Sequence, residues 1–378
     1  MKYPIGIQDF EDLQRNGYAY VDKTNFVYKL ADEGKYYFLS RPRRFGKSLF
    51  LSTLEAYFQG KKELFEGLAI YDLETEWKKY PIFHIDLNTA NFQEKDSLYT
   101  VLNDYLTTWE SKYGTRESEA TLALRFKGVI ARAAEKEGCG VVILIDEYDK
   151  PILLTLRDPE LQAEHRAQLK AFYSVLKTQD RYIKFAFLTG VTKFGKVSVF
   201  SDLNNLTDIS MDHRYISICG MTEKELLTNF KEGIGELASA NEDNETETID
   251  KLRMRCSGYH FEENSEEIYN PFSVLNTLAN SRYDDYWFKA NTHTFLIDIL
   301  KKHDYCITDL NKAQVKANMM NNVDSNPIPV IYQSGYLTIK SYDERFKNYQ
   351  LGFPNKEVEE GILNTLLPHG CKTAEMDC

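Results

Sequence analysis

The segment 36–58 places the tightest constraint on what this chain can fold into. It opens with the aromatic and aliphatic run Tyr36-Tyr37-Phe38-Leu39 and breaks at Ser40-Arg41-Pro42-Arg43-Arg44-Phe45-Gly46-Lys47-Ser48. It resumes with Leu49, Phe50, Leu54 and Tyr57-Phe58 at helical spacing. A short apolar run ended by turn residues reads as a strand, and apolar residues three and four apart read as one helix face. Strand, basic glycine-containing bend, helix is the setting of the phosphate-binding loop G-x-x-x-x-G-K-[ST]. The last three positions match, and Arg41 stands where the first glycine would be. Gly46 lets backbone amides approach a phosphate, Lys47 neutralises β/γ charge and Ser48 offers a hydroxyl to Mg²⁺. The helix N-terminus adds its own partial positive charge. The competing reading, a solvated basic loop, fits the position between strand and helix poorly.

A second feature agrees with the first. Val141-Val142-Ile143-Leu144-Ile145 is a continuous aliphatic run, as in a parallel strand buried on both faces, and it ends in Asp146-Glu147-Tyr148-Asp149. Further strands are expected at 81–87 and at 183–188, the latter closing in Thr189-Gly190. Helices are expected over 21–30, 97–109, 118–137 and 161–176, with Gly138 and Gly140 closing the third. Strands alternating with helices predict a doubly wound, mostly parallel α/β domain that finishes near Ile218. After Met221 the pattern changes. Thr222 with Glu225 is a capping box, 241–248 is acidic and polar, and Asn270-Pro271 opens a helix through Leu278. More helix is expected over 291–320. Strands at 336–340 and 348–351 flank a turn, and a helix over 357–367 completes a winged-helix-like pattern.

Composition narrows the classes of function. Hydrophobic residues make up 43% and charged residues 27%, ordinary globular usage that excludes disorder and a coiled-coil rod. The aliphatic runs fall far short of the roughly 18 residues a membrane-spanning helix needs, so no membrane role is expected. Residues 1–10 lack an apolar signal region, and the six cysteines form no C-x-x-C pair, which points to the reducing cytoplasm. The net charge of −11 disfavours generic nucleic-acid binding, because phosphate contact needs a positive field.

Residue chemistry then assigns roles. An aspartate and glutamate at the carboxyl end of a buried strand are where open α/β sheets put their ligands. Asp146 would orient the water shell of Mg²⁺, and Glu147 would polarise the attacking water. Thr189, ending the next strand, would sense the γ-phosphate or hold that water; a plain Thr-Gly turn explains it nearly as well. Lys193, Lys196 and Arg214 are cations that spacing does not rank, and each also reads as an ordinary surface charge. The guanine-specifying N-K-x-D is absent, which favours ATP over GTP. No G-x-S-x-G or H-E-x-x-H occurs, His84 reads as a structural residue, and Glu33-Gly34-Lys35 is a chance E-x-K at a helix stop.

Longer strings carry a family resemblance. Ile5-Gly6-Ile7-Gln8-Asp9-Phe10, Tyr20-Val21-Asp22-Lys23-Thr24, the run from Tyr36 through Ser48, and Leu144-Ile145-Asp146-Glu147-Tyr148-Asp149-Lys150-Pro151 resemble the AAA-ATPase-like family of bacterial P-loop proteins. So do Leu188-Thr189-Gly190-Val191-Thr192-Lys193-Phe194, Asn204-Asn205-Leu206-Thr207-Asp208-Ile209-Ser210, Tyr269-Asn270-Pro271-Phe272 and Gly335-Tyr336-Leu337-Thr338-Ile339. The resemblance covers essentially the whole chain. It implies that Arg41 is the family's own form of the loop, and it implies ATP binding with hydrolysis. The family is similar to STAND and archaeal-type ATPases, which implies a P-loop core over 1–219, a helical lid over 220–290 and a winged-helix-like module over 291–378.

The expected nucleotide contacts are Arg41, Pro42, Arg43, Arg44, Phe45, Gly46, Lys47, Ser48 and Leu49, with Asp22 near the adenine. Mg²⁺ is expected at Ser48 and Asp146, and the catalytic set is Glu147, Lys47 and Thr189. Members usually continue into a PD-(D/E)xK nuclease-like domain, for which 1–378 shows no credible core: as a complete product the chain would carry no nuclease role, and as a fragment it would lack that effector. ATP hydrolysis driving a conformational switch is one expectation. The other is a non-catalytic nucleotide-binding or winged-helix module for a protein partner, with DNA less favoured by charge. A nuclease-like effector and self-association remain open as partners.

Overall fold

The computed structural model describes residues 1–193, 205–290, 296–297, 300, 307–320 and 326–366. They form two compact units. One comprises Asp22–Ser40 and Ser48–Ile209; the other comprises Met1–Val21, Arg41–Lys47 and Ser210–Cys378.

The first unit is built on five parallel strands, β1 (Tyr36–Ser40), β2 (Ile82–Asp86), β3 (Val141–Asp146), β4 (Ile183–Gly190) and β5 (Thr207–Asp208), in the order β2-β3-β4-β1-β5. Every residue of β1 and β3 is buried, which is why both read as unbroken apolar runs. Helices Ser97–Tyr113, Leu122–Glu137 and Pro159–Thr178 are amphipathic. Phe126 from the second stacks on Phe172 from the third, ring centroids 4.3 Å apart, and Phe83 of β2 stacks on Trp109 at 4.5 Å. Local chemistry sets their ends. The Thr121 hydroxyl caps Leu122–Glu137 and Gly138, at φ +69°, terminates it; the Asp158 carboxylate caps Pro159–Thr178. In-register pairing of β1 with β4 and of β4 with β3 brings Ser40, Gly190 and Asp146 to the same carboxyl edge.

The second unit is mostly helical. Glu223–Asn229 carries the expected capping box, in which Thr222 and Glu225 exchange side-chain and backbone bonds. An equivalent box at Asn244 and Glu247 starts Glu245–Cys256 inside the acidic stretch. Pro271–Asn280 begins under the Asn270 cap. Met221, Leu226, Phe230, Ile234, Leu237, Leu252, Tyr269, Val274 and Leu278 form a core cluster against which Tyr3, Ala19 and Val21 pack. Antiparallel strands β6 (Gln314–Lys316), β7 (Thr338–Asp343) and β8 (Asn348–Gly352) order as β6-β8-β7, with helix Pro327–Gln333 between β6 and β7 in the chain and helix Lys356–Leu366 after β8.

The first residues pack with the later core, where Tyr3 stacks on Phe230. One expectation changes. In place of one continuous helix over 291–320, the described residues include β6, the short helix Ile307–Leu310 and the 3-10 turn Ala317–Met319. Val315 is buried between exposed Gln314 and Lys316 and pairs with Tyr349, a contact from distant sequence that overrides local helix preference. Residues 291–295, 298–299 and 301–306 of that span, with Lys196, Phe194, Asn204 and Leu367, lie outside the described residues.

Candidate nucleotide site

Ser48, in the first turn of helix Lys47–Phe58, donates its hydroxyl to Asp146 Oδ2 at 2.5 Å. Thr189 at the end of β4 donates to Asp146 Oδ1, also at 2.5 Å. Each carboxylate oxygen of Asp146 is therefore oriented by one hydroxyl, and the aspartate is only 2% exposed. Glu147 follows with φ +52°, a left-handed conformation that a non-glycine residue adopts at a cost. The three sequence-predicted residues Ser48, Asp146 and Thr189 thus meet at one point, with Glu147 next in chain.

The loop Arg41–Lys47, which runs by covalent continuity from β1 into helix Lys47–Phe58, has two left-handed residues, Arg44 at φ +66° and Gly46 at φ +95°. A Cβ at Gly46 would meet nothing within 4 Å, so its glycine serves backbone conformation and leaves the amides unscreened. The Lys47 ammonium donates to the carbonyls of Arg41 and Pro42 at 3.0 and 3.3 Å.

Several loop side chains make contacts within the protein. Arg41 is 1% exposed. Its guanidinium donates to the carbonyls of Ser210 (2.7 Å), Tyr215 (3.3 Å) and Ile216 (3.4 Å) and lies 4.0 Å over the Phe261 ring. Arginine replaces the first glycine here as an internal fastener. Phe45 is buried edge-on against Tyr259 and Phe261, and Pro42 is buried where Gly335 leaves no room for a Cβ. Arg44 stacks over Phe272 at 4.2 Å, and burial together with Arg43 lowers its pKa. Arg43 is exposed, Leu49 half-buried, and the Arg43 carbonyl accepts from Trp287 Nε1 at 2.9 Å.

Asp22 is likewise committed to structure. Its Oδ1 accepts from the amide and hydroxyl of Thr24, and its Oδ2 from the Ala69 amide, tying helix Thr24–Glu33 to Ala69–Leu73. Lys193 pairs with Asp208, Arg214 with Asp212, and Lys35 with Asp180. His84 Nδ1 lies 2.7 Å from Glu55, and its pKa is raised: burial lowers it, and the Glu55 carboxylate more than compensates.

Sequence reading passed over Asp149 and Thr192. Asp149 is fully buried and accepts from the Thr192 amide and hydroxyl at 2.6 and 2.7 Å. The available signal was a third carboxylate immediately after the strand and a second threonine three residues beyond Thr189.

The family described as "Predicted AAA-ATPase" matches residues 4–200. An uncharacterized protein in the vnfD 5′ region of Azotobacter chroococcum mcd 1 is 37% identical over 372 residues, covering 97% of this chain and 70% of that one. Among solved structures, the Aeropyrum pernix ORC2 protein in ADPNP–ADP complexes is similar at TM-score 0.32 and 13% identity, over 95% of this chain and 93% of that chain. At that TM-score no residue correspondence follows. The chain belongs to the predicted AAA-ATPase family. Nucleotide binding is the function this membership supports.

Proposed function

We propose that the protein binds ATP with Mg²⁺ and hydrolyses it, using the energy to change the conformation of the unit that contains the loop. The observation that carries this reading is the 2.5 Å bond from Ser48 to Asp146, 98 positions apart. It joins the residue following the Gly-Lys pair to the carboxylate ending a buried strand. A hydroxyl and a carboxylate oxygen are hard donors of the kind Mg²⁺ takes alongside water and phosphate oxygens. Ser48 and Asp146 would hold the ion, which neutralises charge on the phosphates. The amides near Gly46 and the Lys47 ammonium would bind the β- and γ-phosphates. Glu147 would orient and polarise the attacking water, and Thr189 would register the γ-phosphate through its bond to Asp146.

The test is a nucleotide titration with and without Mg²⁺, followed by turnover. Lys47→Ala should lose binding, and Glu147→Gln should bind and fail to turn over. Equal ATP affinity in wild type and Lys47→Ala would discard the proposal. A second reading, a non-catalytic winged-helix-like module for a protein partner, is favoured by the β6-β8-β7 sheet with Phe346, 61% exposed, in its β7–β8 turn. Binding without turnover in the wild type would select it. The compartment stays a proposal as well: cytoplasmic, from the cysteine pattern. Among the described residues no helix is long and apolar enough to cross a membrane.

A further inference from the structure

The segment after β3 and the segment after β4 are tied together more densely than strand pairing requires. Asp149 has no exposed surface, and its carboxylate accepts from main-chain amides and a hydroxyl. Oδ2 takes the Thr192 amide at 2.6 Å and the Thr192 hydroxyl at 2.7 Å, and the Val191 amide lies 3.2 Å from both oxygens. In the opposite direction the Tyr148 amide donates to the Thr189 carbonyl at 3.0 Å, and the Tyr148 hydroxyl donates to the Thr192 carbonyl at 2.9 Å. The two segments touch at Gly190, where a Cβ would come within 2.7 Å of Asp149 Oδ1 and of the Tyr148 ring.

Between these anchors lies Glu147, held at φ +52°. A left-handed glutamate carries a steric cost and persists only where its surroundings over-determine it. Its neighbours on the chain are both fixed: Asp146 by Ser48 and Thr189, Tyr148 by Thr189 and Thr192. A buried carboxylate accepting several N–H and O–H donors is a stiff joint, because losing its charge strands those donors without acceptors.

We propose that Asp149 is a positioning residue, clasping the end of β3 to the end of β4 through Thr192 and thereby setting the orientation of Glu147 relative to Thr189. The proposal rests on the ATPase reading. It goes beyond that reading in assigning turnover geometry to Asp149 and Thr192, a pair to which that reading gives no role.

The experiment measures Mg²⁺-dependent ATP binding and steady-state turnover on the full chain, for wild type, Asp149→Asn, Thr192→Val and Thr192→Ser. Asp149→Asn presents an amide where donors already converge. It should lower kcat about 10–100-fold, the usual loss when a supporting partner is removed. Its ATP dissociation constant should stay within about twofold, a split that marks loss of transition-state geometry only. Thr192→Val, which deletes one donor without changing volume, should fall between, and Thr192→Ser should restore turnover. Unchanged kcat in Asp149→Asn, or equal loss of binding and turnover, would overturn the clasp while leaving the ATPase reading in place. If Asp149→Asn does not fold, the Thr192 pair decides, since Ser should rescue what Val removes. Absence of turnover in the wild type would remove the ATPase reading and the clasp together.

Discussion

The indole of Trp287 donates through Nε1 to the carbonyl oxygen of Arg43, 244 positions earlier in the chain, at 2.9 Å. A buried chromophore is thereby bonded to the backbone of the loop expected to hold phosphate. With Trp77 and Trp109 replaced by phenylalanine, ATP should change the emission of Trp287 saturably. Lys47→Ala should abolish the change. A flat titration in a variant that still binds nucleotide would show that the loop backbone does not move at Arg43.

Ser48→Ala removes the hydroxyl that orients Asp146. Nucleotide affinity measured in EDTA should be little altered, whereas the Mg²⁺ concentration needed for half-maximal turnover should rise about 10-fold or more, the scale on which coordinating and supporting groups affect metal sites. Isothermal titration at several Mg²⁺ concentrations reads both.

Arg41→Lys tests whether arginine fastens the loop internally. Lysine lacks the planar fork that reaches the carbonyls of Ser210, Tyr215 and Ile216 and the stacking face over Phe261. Chemical denaturation should show a loss of about 2–3 kcal/mol, from the stranded acceptors. ATP affinity per folded molecule should hold. Intact stability with affinity lowered would instead make Arg41 a phosphate ligand.

Glu357 predicts a pH dependence. It is buried and accepts from the Ser273 hydroxyl and the Trp287 amide, both at 2.6 Å, and from the Phe288 amide at 3.2 Å. Burial pushes its pKa up to about 7 from 4.5, against the pull of those three donors. The folded protein therefore binds this proton more tightly than the unfolded chain. Its stabilising contribution is complete below 4.5 and is lost as pH rises through about 7. A shift of this size is worth about 3 kcal/mol. Glu357→Gln keeps an acceptor for the two amides and should flatten stability against pH across that window, which thermal melts at stepped pH would record.

Asp22→Ala should cost about 0.5–2 kcal/mol, as for other lost helix-starting acceptors, because Thr24 and Ala69 lose their partner. The preference for ATP over GTP should not change. An altered preference would return Asp22 to the adenine.

What the sequence determined by itself is the part of this protein written in short-range pattern. The apolar runs of β1 and β3, the capping residues Thr222 and Asn270, and the bend at Gly46-Lys47-Ser48 all act within a few residues of one another. The meeting of Ser48 with Asp146 was legible too, because parallel strands deliver their carboxyl ends to a common edge. Only the tertiary structure decided where the remaining polar groups spend their hydrogen bonds. Arg41 turns to carbonyls around 210–216, Asp22 to Ala69, Asp149 to Thr192, and residues 1–21 to a core completed at Phe230 and Leu278. A side chain's identity limits what it can bond, but burial obliges it to use whichever partners distant parts of the chain bring within reach.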